Sequence, residues 1–177
     1  MRSLHADGVV RALGLRTVQP ANWRSGLAHA RERGVFVTPA LDGWVLAVGE
    51  DLRGDQQEDR LVPELLQRLS ATFGKAAWFA THAQGERHGW ALGERGELVR
   101  GYAFDGERGH VFWSGDVTDA ERELNCFVDD PRDHSEDEVK WWPDERIVLA
   151  MAAAWSLDPR TLGERGRGVS AGWHGRL

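Results

Sequence analysis

A single cysteine, Cys126, among 177 residues excludes an intramolecular disulfide and any metal site built from several thiolates of one chain. It suits a reducing compartment, so the expected location is cytoplasmic. Long apolar runs are missing as well. No segment approaches the roughly 20 apolar residues of a membrane span, and MRSLHADGVV at the start has no apolar stretch suited to a signal peptide. No membrane association is expected. Excess positive charge is also lacking: 28 acidic residues face 22 basic ones, for a net charge of −6. That is the opposite of the footprint of a general nucleic-acid binder, so nucleic acid is not an expected partner. The recognisable catalytic signatures are absent too, with no GxxxxGK(S/T) loop, no GxGxxG after a strand, no GxSxG elbow and no HExxH. GERGRG at 163–168 has the wrong glycine spacing for a phosphate cradle and no strand before it. A binding role is therefore preferred to a catalytic one, and no cofactor is called for.

Against these absences stand nine tryptophans beside one tyrosine, and a strongly acidic strip. DDPRDHSEDEVKWW, residues 129–142, places six carboxylates in ten residues and then two adjacent indoles. As a calcium loop it fails the DxDxDG spacing and carries Pro131 in its middle. As a solvated loop it needs no further account. As a docking surface it has both required parts: carboxylates that speed the encounter with a cationic protein, and a tryptophan that holds the complex once formed. The residues that would carry the contact are Asp129, Asp130, Asp133, Glu136, Asp137, Glu138 and Trp141. Adjacent side chains point different ways, so Trp142, beside an apolar helix, is expected in the core and Trp141 outside it.

The remaining pattern predicts an α+β class. Asp7 and Asn22 suit the N-caps of two short helices that end at Gly14 and Gly34. VFVTP and GWVLAVG, around Asp42-Gly43, read as a strand pair. A polar loop spans 51–60. Val62, Leu65, Leu66, Leu69 and Phe73 then have helical spacing, closed by Gly74. From 75 to 113, KAAWFATH, RHGWALG, ELVRGYAF and GHVFWSG form a meander whose turns carry Gly-Glu-Arg triplets. Thr118 and Glu121 have capping-box spacing. From Pro143 to Trp155 a helix begins with Asp144 and Glu145 at its positive end, and its run of apolar residues predicts burial nearly all round. The expected product is one domain over 1–162, with a mostly antiparallel sheet of about six strands covered on one face by helices. Residues 163–177, rich in glycine and arginine and without period, are expected to form a flexible tail.

Histidine supplies the alternative chemistry. His82 and His88 flank a predicted turn and His110 lies on a later strand, so three imidazoles on one sheet would leave a zinc ion one open position. Trp44, Trp78, Trp90 and Trp113 lie on predicted strands, where they fill a core or line a small-molecule or catalytic pocket with those histidines.

The order GWVLAVG, LLQRLSATFGKAAWFATH, HGWAL, ELVRGYAF and MAAAWSLDPRTL resembles a group of small uncharacterised bacterial α+β proteins from GC-rich genomes, over most of residues 20–162. That resemblance implies no activity and no catalytic residue. In character, being small, acidic, poor in cysteine and rich in tryptophan, the chain is similar to immunity proteins that neutralise bacterial toxins. The likeness implies a cognate toxin or other basic protein as partner.

Overall fold

A computed structural model describes residues 5–52, 58–127, 141–165 and 171–177. In chain order the principal elements are α1 (Ala6–Leu13), β1 (Arg16–Ala21), α2 (Trp23–Glu32), β2 (Val35–Val37), β3 (Ala47–Val48), α3 (Glu58–Phe73), β4 (Lys75–His82), β5 (Arg87–Glu94), β6 (Glu97–Asp105), β7 (Gly109–Ser114), α4 (Asp119–Glu123), α5 (Glu145–Trp155), α6 (Leu162–Arg165) and β8 (Gly172–Arg176). The class is α+β, as the sequence predicts, and the sheets are antiparallel in their pairing. The strands divide differently from expectation, however, into two sheets of four, ordered β1-β8-β2-β3 and β4-β5-β6-β7. The chain forms two compact units, the first from residues 1–56 and 160–177 and the second from residues 57–159. The first unit thus draws on both ends of the chain, a division that a single domain over 1–162 does not anticipate.

In the first unit, Asn22 caps α2 as expected, its Oδ1 accepting from the Ser25 amide at 2.9 Å. α1 instead has His5 at its N-cap position, with no side-chain capping hydrogen bond, and Asp7 lies in its first turn. Ala21, Ala30 and Phe36 form a small core, with Trp23 edge-on to Phe36. The expected flexible tail is corrected here: Gly172–Arg176 is a strand at the centre of this sheet, antiparallel to β1 on one side and to β2 on the other. Its backbone N–H and C=O groups are used by two neighbours, and that pairing orders a segment whose side-chain pattern carries no strand signal.

The second unit holds the meander, with strand limits close to the predicted ones because each hairpin has a local turn signal. Gly96 between β5 and β6 takes φ +92°, a conformation glycine adopts without steric cost. Helices cover both faces of this sheet rather than one. Val62 and Leu66 of α3 pack on Ala76 and Ala91, and α3 comes so close that a Cβ at Gly93 would lie 2.9 Å from the Leu66 carbonyl oxygen. On the other face α5 packs Ile147, Val148, Met151 and Trp155 against the aromatic residues of β5 and β6. α5 is capped by Asp144, which accepts from the Ile147 amide at 2.8 Å. It is not buried all round, since Ala154 is exposed and Leu149, Ala150 and Ala153 are half-buried. Three alanines make this tolerable, because a methyl group exposes little apolar surface.

Candidate functional site

On the α5 face of the second sheet, cross-strand register stacks the side chains in rows. Phe79, Trp90, Tyr102 and Trp113 form one row, and Ala77, Leu92 and Arg100 the next. Arg100 is therefore on an inward register, and it is fully buried with Glu121, at 0% exposure for both side chains. Arg100 Nε donates to Glu121 Oε1 at 2.8 Å and Oε2 at 3.1 Å. Its Nη1 donates to the carbonyl oxygens of Gly101 and Ser114, both at 3.0 Å, and the guanidinium carbon lies 4.1 Å from the Trp113 ring centroid. Glu121 is also the capping-box residue of α4. Its Oε2 accepts from the Thr118 amide at 2.7 Å and the Thr118 hydroxyl at 2.8 Å, and its Oε1 accepts from Trp90 Nε1 at 2.8 Å. One carboxylate thus ties α4 to two strands. Arg100 Nε and Nη1, Trp90 Nε1 and both Glu121 oxygens are all engaged with partners inside the protein, so the chemistry of this cluster is structural.

Beside this cluster lie the two described residues that flank the acidic strip in sequence. Phe127, before it, and Trp141, after it, meet with ring centroids 4.6 Å apart, and both pack with Trp90 and Tyr102. Asp129, Asp130, Asp133, Glu136, Asp137 and Glu138 lie outside the described residues. The expectation for the two indoles is reversed: Trp141 is half-buried against the core cluster, and Trp142 is 58% exposed. The physical reason is that Trp141 completes the ring cluster around Phe127, whereas the core face of α5 is already filled by its own side chains. Cys126, next to Phe127, is buried, and burial pushes its thiol up to about 12, which leaves it unreactive near neutrality.

The three histidines do not converge. Thr81, His88, Phe104 and His110 share one face by register, while His82 pairs with Arg87 one position along and so projects to the other face. Thr81 Oγ1 lies 3.0 Å from His88 Nδ1, and Tyr102 Oη lies 2.8 Å from His110 Nδ1. Burial pulls His88 below the ordinary imidazole range, against the opposing pull of the Asp144, Glu86 and Glu145 carboxylates, and burial lowers His110 likewise. Among the described residues no group of three or more histidine, cysteine, aspartate or glutamate side chains is placed to hold a metal. Two of the sheet tryptophans belong to the core cluster: Trp90 is fully buried, and Trp113 packs on Tyr102 and Phe127.

A cleft that the sequence reading missed lies in the first unit. It measures about 460 Å³ and is lined by Thr17, Gln19, His29, Glu32, Arg33, His174, Gly175 and Arg176. β1, α2 and β8 each contribute. The rings of His29 and His174 are 5.3 Å apart, and His174 Nε2 donates to the Arg33 carbonyl oxygen at 3.1 Å. The only sequence signal was the density of arginine and histidine in HARER and GWHGR, which becomes a site only once β8 is placed beside β1.

The chain matches no family model, no curated protein and no solved structure. Its own charge distribution is more informative. The first unit carries 11 basic and 7 acidic residues, and the second carries 11 basic and 21 acidic. The net negative charge of the chain thus belongs wholly to the unit that bears the strip.

Proposed function

We propose that this protein is a protein-binding module, most concretely an immunity-type inhibitor that neutralises a cognate bacterial toxin by covering a basic surface on it. The observation that carries this reading is the exposed Trp142, which follows the acidic segment in sequence and directly succeeds the Trp141 ring packed on Phe127. A large exposed indole contributes nothing to the core cluster and is the side chain best suited to anchor a partner. Its acidic neighbours act earlier, at encounter: Asp144 and Glu145 are exposed directly after it, and Asp119 and Glu123 are exposed on α4, which packs against α5. With Asp129, Asp130, Asp133, Glu136, Asp137 and Glu138 they make a field that accelerates association with a cation. Trp141 is the internal anchor of the segment and Trp142 its outward contact. The resemblance in character to immunity proteins and the single buried thiol support a place in the bacterial cytoplasm.

The test is kinetic, on a partner captured from the native cell. Replacing Glu136, Asp137 and Glu138 by their amides is expected to slow association and flatten its salt dependence, with dissociation changed less. Trp142→Ala is expected to shorten the lifetime of the complex by an amount corresponding to about 2 kcal/mol or more. Unchanged rates in both variants would place the binding surface elsewhere. A second reading, that of a small-molecule-binding domain, now has its observation in the first unit's cleft and not on the tryptophan-bearing sheet.

A further inference from the structure

We infer that the cleft between β1, α2 and β8 is a binding site for a small phosphate monoester, held by Arg33 and Arg176 with His29 and His174 beside them. Three observations in the first unit support the site, two of them from its charge and one from its backbone. The first is uncompensated charge. Among the described residues no carboxylate pairs with Arg33 or Arg176 within ion-pair distance, and Glu32 is the one acidic residue in the lining. The second is frustration in the sheet. Arg16 and Arg176 are direct cross-strand partners of β1 and β8, and like charges in that position destabilise the pair. An anion beside Arg176 removes part of that repulsion. The third is strain. The pairing of β1 with β8 shifts register between Arg16 and Gln19, and within that irregularity Thr17 takes φ 50°. A β-branched residue in the left-handed region is a costly conformation that persists where surrounding structure imposes it, and such residues gather at ligand clamps.

The geometry selects among anions. Planar guanidinium groups present forked N–H donors that match oxygen pairs of phosphate or carboxylate. Two such forks, with the His29 imidazole and the hydroxyl of Thr17, offer more donors than one carboxylate has lone pairs to use, whereas a phosphate monoester has three terminal oxygens and close to two charges. The volume leaves room for an organic group of modest size, not merely the ion. Gly34 fixes the cleft wall: it takes φ +92°, and a Cβ there would lie 2.5 Å from the Gly175 carbonyl oxygen and 2.8 Å from His174 Nε2. β8 supplies both Arg176 and His174, so the site exists only while the last strand is seated.

The inference does not rest on the protein-binding role, and its test is separate. Isothermal titration of the purified full chain with inorganic phosphate and with glycerol 3-phosphate is expected to show saturable one-to-one binding, tighter for the ester. Arg33→Gln and Arg176→Gln are each expected to weaken it by about tenfold or more, since each removes charge-assisted hydrogen bonds. Arg122→Gln, an exposed substitution in the second unit, is expected to leave it unchanged. Circular dichroism identical to that of the unsubstituted protein confirms that the variants fold. No saturable heat up to millimolar concentrations of either probe would overturn the inference, as would binding unaffected by Arg33→Gln and Arg176→Gln. Equal affinity for acetate or citrate would overturn the phosphate assignment.

Discussion

Glu121→Gln changes one oxygen for an amide nitrogen and alters the shape of the side chain hardly at all, yet it should be among the most destabilising single substitutions in the second unit. Both carboxylate oxygens are fully used. Oε1 accepts from Trp90 Nε1 and Arg100 Nε, and Oε2 accepts from the Thr118 amide and hydroxyl. A glutamine keeps an acceptor on one side only. On the other side its own N–H groups face donors, so at least one buried N–H is left unsatisfied, at about 1–3 kcal/mol. The larger effect is electrostatic. Arg100 has no exposed side-chain surface, and removing the counter-charge of a buried pair costs about 3–5 kcal/mol. A total of about 4–8 kcal/mol is then expected, a large part of the ~5–15 kcal/mol that holds a typical domain folded. In urea, with a slope of ~1–3 kcal/mol per molar, the unfolding midpoint should fall by roughly 2–4 M. Tryptophan fluorescence and far-ultraviolet circular dichroism report it, since Trp90 donates directly to this carboxylate. Adding Arg100→Met to the variant should recover part of the loss, because it removes the orphaned charge. A Glu121→Gln protein within about 1 kcal/mol of the unsubstituted one would refute the reasoning, and would mean that the pair contributes no more than a neutral hydrogen bond.

Two further outcomes are expected. His88 and His110 have imidazoles held below their ordinary range by burial, so below about pH 6.5 the unfolded chain binds protons that the folded one refuses, and stability falls as pH drops. Urea midpoints should therefore decrease between pH 7.5 and 5.5 and decrease less in a His88→Gln, His110→Gln variant; parallel curves for the two proteins would contradict the assignment. The adjacent indoles should separate cleanly by thermal unfolding, with Trp142→Ala within about 0.5 kcal/mol of the unsubstituted protein and Trp141→Ala losing about 2 kcal/mol or more. Equal losses would mean that Trp142 is packed.

What the sequence made legible is what local chemistry decides. Asn22 before α2, the Thr118–Glu121 box and the glycine-bearing turns of the meander each depend on residues within four positions of one another, and each stands where expected. β1 and β8 depend on distant partners. RTVQPA contains a proline and GWHGR two glycines, both poor strand signals, and only mutual pairing makes either a strand. The Arg100–Glu121 pair was hidden because charged residues are read as surface. A period-two count along ELVRGYAF would have found it, since Arg100 shares a register with Tyr102 and Phe104. The order of the two indoles was beyond reach for another reason: it turns on whether Phe127 has a ring partner, and that is a tertiary fact.

The position of β8 also sets an order of events. β1 and β2 are both antiparallel to β8, so they run parallel to each other with a vacant lane between them until residues 172–176 arrive. The whole second unit is synthesised in the interval. It draws only on its own consecutive residues and can fold as it emerges, while the first unit waits with two unpaired strand edges, the kind of edge that invites pairing with another chain. Closing the lane joins segments far apart in sequence, a slow step by the logic of contact order. During that wait a β8 supplied by another molecule would fit as well as the chain's own, making strand exchange between copies the characteristic error of this fold.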